Sequence, residues 1–131
     1  MDTQEAYERM RAWLTRPGAS RCGDSENCYY LDMYGNRCAV GALLSHQTAI
    51  EAAPCQGNVI GLFADVSSAG DELAHVSLNF LRDAQSLHDN TSHWQHGRFD
   101  VAVLDALAKD YSLTVVIDEP AVAPVEEPVA V

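Results

Sequence analysis

Cysteine, histidine and aspartate are the residues of this chain best equipped for nucleophilic or metal-assisted chemistry, and their spacing sorts them into three arrangements. Cys38 opens the apolar stretch Cys-Ala-Val-Gly-Ala-Leu-Leu; at a helix N-terminus, the dipole and free backbone amides would favour its thiolate. The adjacent pair His88 and Asp89 offers a base and a group to orient it, so the three together would make a Cys/His/Asp hydrolase. The same pair, joined by His75 and either Asp100 or Asp105, has the donor types of a metal-dependent phosphohydrolase. Against it, the spacing from His75 is short and 117 residues leave little room for a helical scaffold. His93 and His96 stand three apart, a spacing that on a helix would put both imidazoles on one side to bind zinc with Asp89 or Asp100.

Each arrangement has a plainer reading. Cys28 and Cys38 read as small buried apolar residues facing each other across a hairpin. His88 and Asp89 read as the end of a helix, the imidazole helping the C-terminal dipole and Asp89 or Asn90 starting the next turn. Gly97 and Thr91-Ser92 place His93 and His96 in a loop, and no His-Glu-x-x-His frame surrounds them. Trp13 and Trp94 read as core anchors or pocket lids. The four cysteines, Cys22, Cys28, Cys38 and Cys55, contain no Cys-x-x-Cys pair and read as free thiols. No metal and no cofactor is assigned.

The elements that would position these groups follow from apolar spacing. Thr3 can cap a helix carrying Ala6, Met10, Trp13 and Leu14, which Pro17-Gly18 stops. Gly18 to Asn27 reads as a loop. Cys28 to Asp32, the turn Tyr34-Gly35-Asn36 and Arg37-Cys38 predict a short hairpin. Ala39 to Leu44 is apolar and poor in β-branched residues, so it predicts the start of a helix, and Pro54 ends whatever is helical there. Asn58 to Ser68 has no clean period and is left open between a strand and a covered loop. Gly70 to His88 carries a broad helical stripe with Asp71 and Glu72 at its N-terminal end. After a polar stretch, Phe99, Val103, Leu104 and Leu107 share the face of a last helix, and Leu113 to Ile117 is β-branched enough for a short strand. The expected architecture is α+β: a mostly helical single domain over 1–117 with a short β-hairpin.

The remaining segment, 118–131, has three prolines and four acids with no basic residue and is expected to be disordered. Acidity is not confined to it: of 131 residues, 19 are acidic and eight basic, and setting aside the four acids of the tail leaves 15 against the same eight bases. A net charge of −11 repels phosphate backbones and anionic lipid, which argues against nucleic acid as a partner; it would suit a protein with a basic surface, although the plainer reading is that it keeps a small protein soluble. No apolar run is long enough to span a bilayer, and the opening residues Asp2, Glu5 and Glu8 do not resemble a secretory signal, so the expected compartment is cytoplasm.

Four stretches carry a resemblance to a known family: CYYLDMYGNRCAVGALL, FLRDAQSLHDN, Trp94 and ALAKDYSL. They resemble a family of small uncharacterised proteins encoded by tailed phages, prophages and some bacteria, across about Arg21 to Leu113. Ser45 to Ala69 carries none of its motifs. Ala84 stands where that pattern usually has leucine before Gln85, and Cys22 and Cys55 are additions to it. The resemblance implies a phage or prophage origin, hence the host cytoplasm, and a mixed helical fold, with no activity to transfer. The expected function is that of an accessory factor binding a host or phage protein. The alternative is a small hydrolase, thiol-dependent on Cys38, His88 and Asp89 or metal-dependent on His88 and Asp89.

Overall fold

The computed structural model describes residues 1–19, 30–32, 35–55, 58–95 and 97–116. Within them lie six α-helices, α1 (Thr3–Thr15), α2 (His46–Ala52), α3 (Val59–Asp65), α4 (Ser67–Glu72), α5 (Leu78–Asp89) and α6 (Val101–Asp110), and an antiparallel hairpin of β1 (Trp94–Gln95) with β2 (Arg98–Phe99). The architecture is α+β and mostly helical, as expected. None of these helices is long and apolar enough to cross a membrane.

α1 and α5 supply most of the buried stripes. On α1, Ala6, Tyr7, Met10 and Leu14 recur at three- and four-residue spacing and face inward. Its N-cap is Asp2, whose carboxylate accepts from the Glu5 N–H at 2.9 Å, and not Thr3. The Thr3 hydroxyl instead accepts from the Ser77 N–H at 2.9 Å and so pins the start of α5 to the start of α1. Arg16 turns extended, and Gly18, at φ +81°, takes the chain away in a conformation that suits glycine.

α6 packs against both α1 and α5. The link to α1 is a partly buried ion pair: Arg11 meets Asp105 at 2.9 Å, and Tyr7 Oη donates to the same carboxylate at 2.6 Å. Burial first, and then this bond to Asp105, raises the Tyr7 pKa and keeps the phenol a donor. Removing either partner would leave the other charge short of its counterpart in a nearly dry place. The link to α5 is aromatic, with Phe80 and Tyr111 edge-to-face at 5.4 Å.

The outcome departs from the sequence reading in several stretches. The single helix expected from Gly70 to His88 is broken: α4 ends at Glu72, a turn carries the buried Leu73 and Val76, and Ser77 caps α5 by accepting from the Phe80 N–H at 3.2 Å. Leu73 and Val76 keep helical spacing through that turn, so the stripe looks continuous while the backbone does not. Of the hairpin expected over 28–38, residues 28, 29, 33 and 34 lie outside the described residues; among the described ones an antiparallel bridge joins Leu31 to Arg37, and the Asp32 N–H donates to the Asn36 carbonyl at 3.0 Å. The two-residue strands form at 94–99, about a turn with Gly97 at φ +75°. Ala39 to Leu44 winds only into a 3-10 turn over Gly41–Leu43 before Ser45 caps α2, and Asn58 to Ser68 holds α3 and the start of α4, separated by an extended Val66. Phe99 belongs to β2, with Asp100 capping α6 through the Ala102 N–H at 3.1 Å. Finally, 113–116 forms no strand: Gln4 of α1 brackets Thr114 through both its N–H and its carbonyl, and the Val116 N–H donates to Tyr7 Oη at 3.0 Å. Helix side chains satisfy backbone that a neighbouring strand would otherwise satisfy. The 118–131 segment lies outside the described residues.

Glu72 joins α4 to the start of α2. It accepts from the Ser45 N–H at 2.8 Å, the Ser45 hydroxyl at 2.8 Å and the Thr48 hydroxyl at 2.6 Å. Burial alone would raise its pKa; the three hydrogen bonds outweigh burial and hold it below the ordinary 4.5. A lowered folded-state pKa means a contribution to stability that is complete above the unfolded value and lost as pH falls through the folded one. Parent and Glu72→Gln should therefore differ in melting temperature by a constant gap above about pH 5.5, the parent higher, and converge as pH drops below roughly 4. A gap unchanged across that range would show that the carboxylate charge contributes nothing.

Candidate functional site

α5 projects Gln85 and His88 onto its buried side, and Asp89 onto the edge of the same face. Opposite stands the turn that begins at Cys38. There the Ala42 N–H donates to the Cys38 carbonyl at 2.9 Å, and the Gly41 N–H donates to Cys38 Sγ at 3.2 Å. The Val40 N–H donates across the gap to Gln85 Oε1 at 3.2 Å. The other end of that amide, Nε2, donates to Asp89 Oδ1 at 2.9 Å, and His88 Nδ1 meets the same oxygen at 3.0 Å. A carboxylate oxygen only accepts, so Nδ1 carries the proton. Gln85 thus ties the turn that begins at Cys38 to the His88–Asp89 pair.

Tyr30 closes the cluster. Its phenol pKa is pushed far above the ordinary range, first by burial and then by the negative forms of Cys38, Asp89 and Cys55. It is therefore a neutral hydroxyl within electrostatic reach of all three. Its backbone rests on the Cys38 turn so tightly that a Cβ at residue 41 would overlap the Tyr30 carbonyl. Only glycine fits there, which gives the Gly of Cys-Ala-Val-Gly a physical role.

Beyond α5, the last carbonyls of the helix are capped in sequence. Ser86 O accepts from the Asn90 N–H at 3.2 Å, Leu87 O from His93 Nδ1 at 3.0 Å, and His88 O from the Trp94 indole N–H at 2.8 Å. His93 is thereby a capping residue: facing a carbonyl, its Nδ1 holds a proton. His88 stands in the last turn of α5, as expected, with its imidazole buried and perpendicular to the Trp94 ring at 5.5 Å. Asn90 does start the next turn, its Oδ1 accepting from the Ser92 N–H at 3.0 Å.

The other proposed metal ligands are dispersed. His75 is exposed between α4 and α5, Asp100 caps α6, Asp105 pairs with Arg11, and His96 lies outside the described residues. Among the described residues no group of three or more His, Cys, Asp and Glu side chains comes together to hold a metal ion. Sequence reasoning gave no role to Gln85 or Tyr30. The four-residue spacing of Gln85 and Asp89 was the available signal for the first; Tyr30 announces itself only through the tertiary fold.

The arrangement has the parts of a thiol relay: a sulfur receiving a backbone N–H at a helical turn, and an imidazole oriented by a carboxylate. It lacks access. Cys38 and His88 are both 0% exposed, while the Asp89 side chain keeps 35% of its surface. Comparison with protein-family models, curated proteins and solved structures finds no match for this chain.

Two substitutions separate the members of the cluster. Asp89→Ala removes the acceptor of two donors and should cost about 1 to 3 kcal/mol in urea unfolding. His88→Ala also leaves a void in a closed core and should cost more, about 2 to 5 kcal/mol. A His88→Ala protein as stable as the parent would contradict the structural role.

Proposed function

We propose that the protein is a phage or prophage accessory factor that acts by binding another protein, and that the outward face of α3 is its contact surface. The observation that carries this is the composition of that helix. α3 reads Val-Ile-Gly-Leu-Phe-Ala-Asp, apolar nearly all round, yet only Val59 and Leu62 are buried. Ile60 is 49% exposed, Ala64 is exposed and Phe63 is half-buried. A helix that is apolar on every side ordinarily has every side covered. Asp65 ends α3, and Asp71 on α4 and Glu51 on α2 are exposed, so a partner with an apolar anchor and a basic rim fits the local charge as well as the overall −11. The phage origin rests on the sequence resemblance alone.

A second reading, a thiol-dependent hydrolase on Cys38, His88 and Asp89, is favoured by the contact of the Gly41 N–H with Cys38 Sγ and by the Gln85 bridge. It requires the sulfur to be reachable from outside.

For the binding reading, affinity capture from host lysate should retain a partner on the parent and lose it on Ile60→Asp. Both proteins should melt within a few degrees of each other, since an exposed substitution changes stability by only about 0.5 kcal/mol. Identical captured proteins on parent and variant, or none on either, would remove α3 as the contact surface.

A further inference from the structure

We propose that the cleft between the end of α1 and the β1–β2 hairpin binds a small organic anion, an apolar body bearing one carboxylate or phosphate group. Leu14, Thr15, Arg16, Pro17, Arg98 and Phe99 line it, and it encloses about 380 Å³, within the range of small-molecule sites. Leu14 and Phe99 give it an apolar wall, and two guanidinium groups give it a charge.

What sets those two arginines apart is that they share one cleft. Acids outnumber bases by 19 to eight, so a cation has many potential partners. Arg9 pairs with Glu5 and Arg11 with Asp105, but among the described residues no carboxylate lies in ion-pair range of Arg16 or Arg98. Asp100, which borders the adjoining recess with Arg98, is occupied as the cap of α6.

Arg16 is held in place. Its Nη1 donates to the Trp13 carbonyl at 2.6 Å, and its guanidinium carbon sits over the Trp13 ring, 3.4 Å from the centroid. One bond leaves further N–H donors of the fork for a ligand. Burial lowers its pKa, with no carboxylate to oppose the shift. Arg37 stands 5.8 Å from the same ring, its own Nη1 bound to the Leu44 carbonyl at 2.9 Å, and adds positive potential without another acid. Arg98 reaches the cleft from β2, next to the turn at Gly97. A positioned, partly desolvated guanidinium and a second one lining the same cleft are an arrangement that an anion completes, with charge-assisted hydrogen bonds from both. This site shares no residue with the α3 face and stands independently of the binding reading.

Calorimetric titration with phenyl phosphate and, separately, benzoate tests the site and tells the two anionic groups apart. The parent should bind at least one of them saturably, one per chain. Arg16→Gln and Arg98→Gln should each weaken that Kd by about tenfold or more, and Arg9→Gln should leave it unchanged. Thermal unfolding of each variant verifies the fold, and the exposed Arg98 keeps the test valid should Arg16→Gln unfold. Binding of neither compound by the parent, equal affinity in Arg98→Gln, or an equal loss in Arg9→Gln would overturn the proposal.

Discussion

A buried amide holds the two halves of this core together. Gln85 accepts from the Val40 N–H on one side and donates to Asp89 on the other, and no apolar residue can do both. The backbone turn at Cys38 to Gly41 would otherwise leave an N–H without a partner in a nearly waterless place, at a cost of about 1 to 3 kcal/mol. Because the amide has distinct ends, its orientation is determined, and that orientation in turn fixes Asp89 and the protonated Nδ1 of His88. The cluster is a chain of donors and acceptors in which each member is positioned by the previous one. Such chains specify one arrangement of a core more sharply than apolar packing does.

Around that chain the molecule is assembled by side chains that cross between elements. Arg11 and Tyr7 fasten α6 to α1 through Asp105, Thr3 fastens α5 to α1, and Glu72 fastens α4 to α2. Several helices are only six or seven residues long, too short to be stable by propensity alone. Caps and cross-links of this kind, each contributing on the order of 1 kcal/mol, are what such elements need in addition to burial.

What was legible in the sequence follows from this. α1 and the inner part of α5 carry long stripes and a turn signal at one end, so period alone reveals them. The break at Leu73 to Val76 was hidden because its buried residues keep helical spacing while the backbone departs from it. α3 and α4 escaped because their apolar residues follow no clean period: α3 is apolar on all sides. The turn chemistry near Gly35 pointed to the antiparallel bridge between Leu31 and Arg37, but nothing pointed to the strands at Trp94 and Phe99, whose rings meet tilted at 5.3 Å beside His88. At the candidate site, Cys38, His88 and Asp89 were named from residue type; Gln85, which ties the Cys38 turn to that pair, had only its four-residue spacing from Asp89 as a signal, and Gly41 and Tyr30 take their roles from the fold.

The central claim is that the Cys38 cluster belongs to the core and that function lies on the surface. Alkylation of the intact protein by iodoacetamide across a urea series, read at each cysteine by mass spectrometry, tests it most directly. A thiol with no exposed surface reacts only when the structure opens, so Cys38 should label in step with global unfolding, and the half-buried Cys55 ahead of it. Labelling of Cys38 in native buffer at the rate of an open thiol, with the fold intact, would contradict the claim and favour the hydrolase reading.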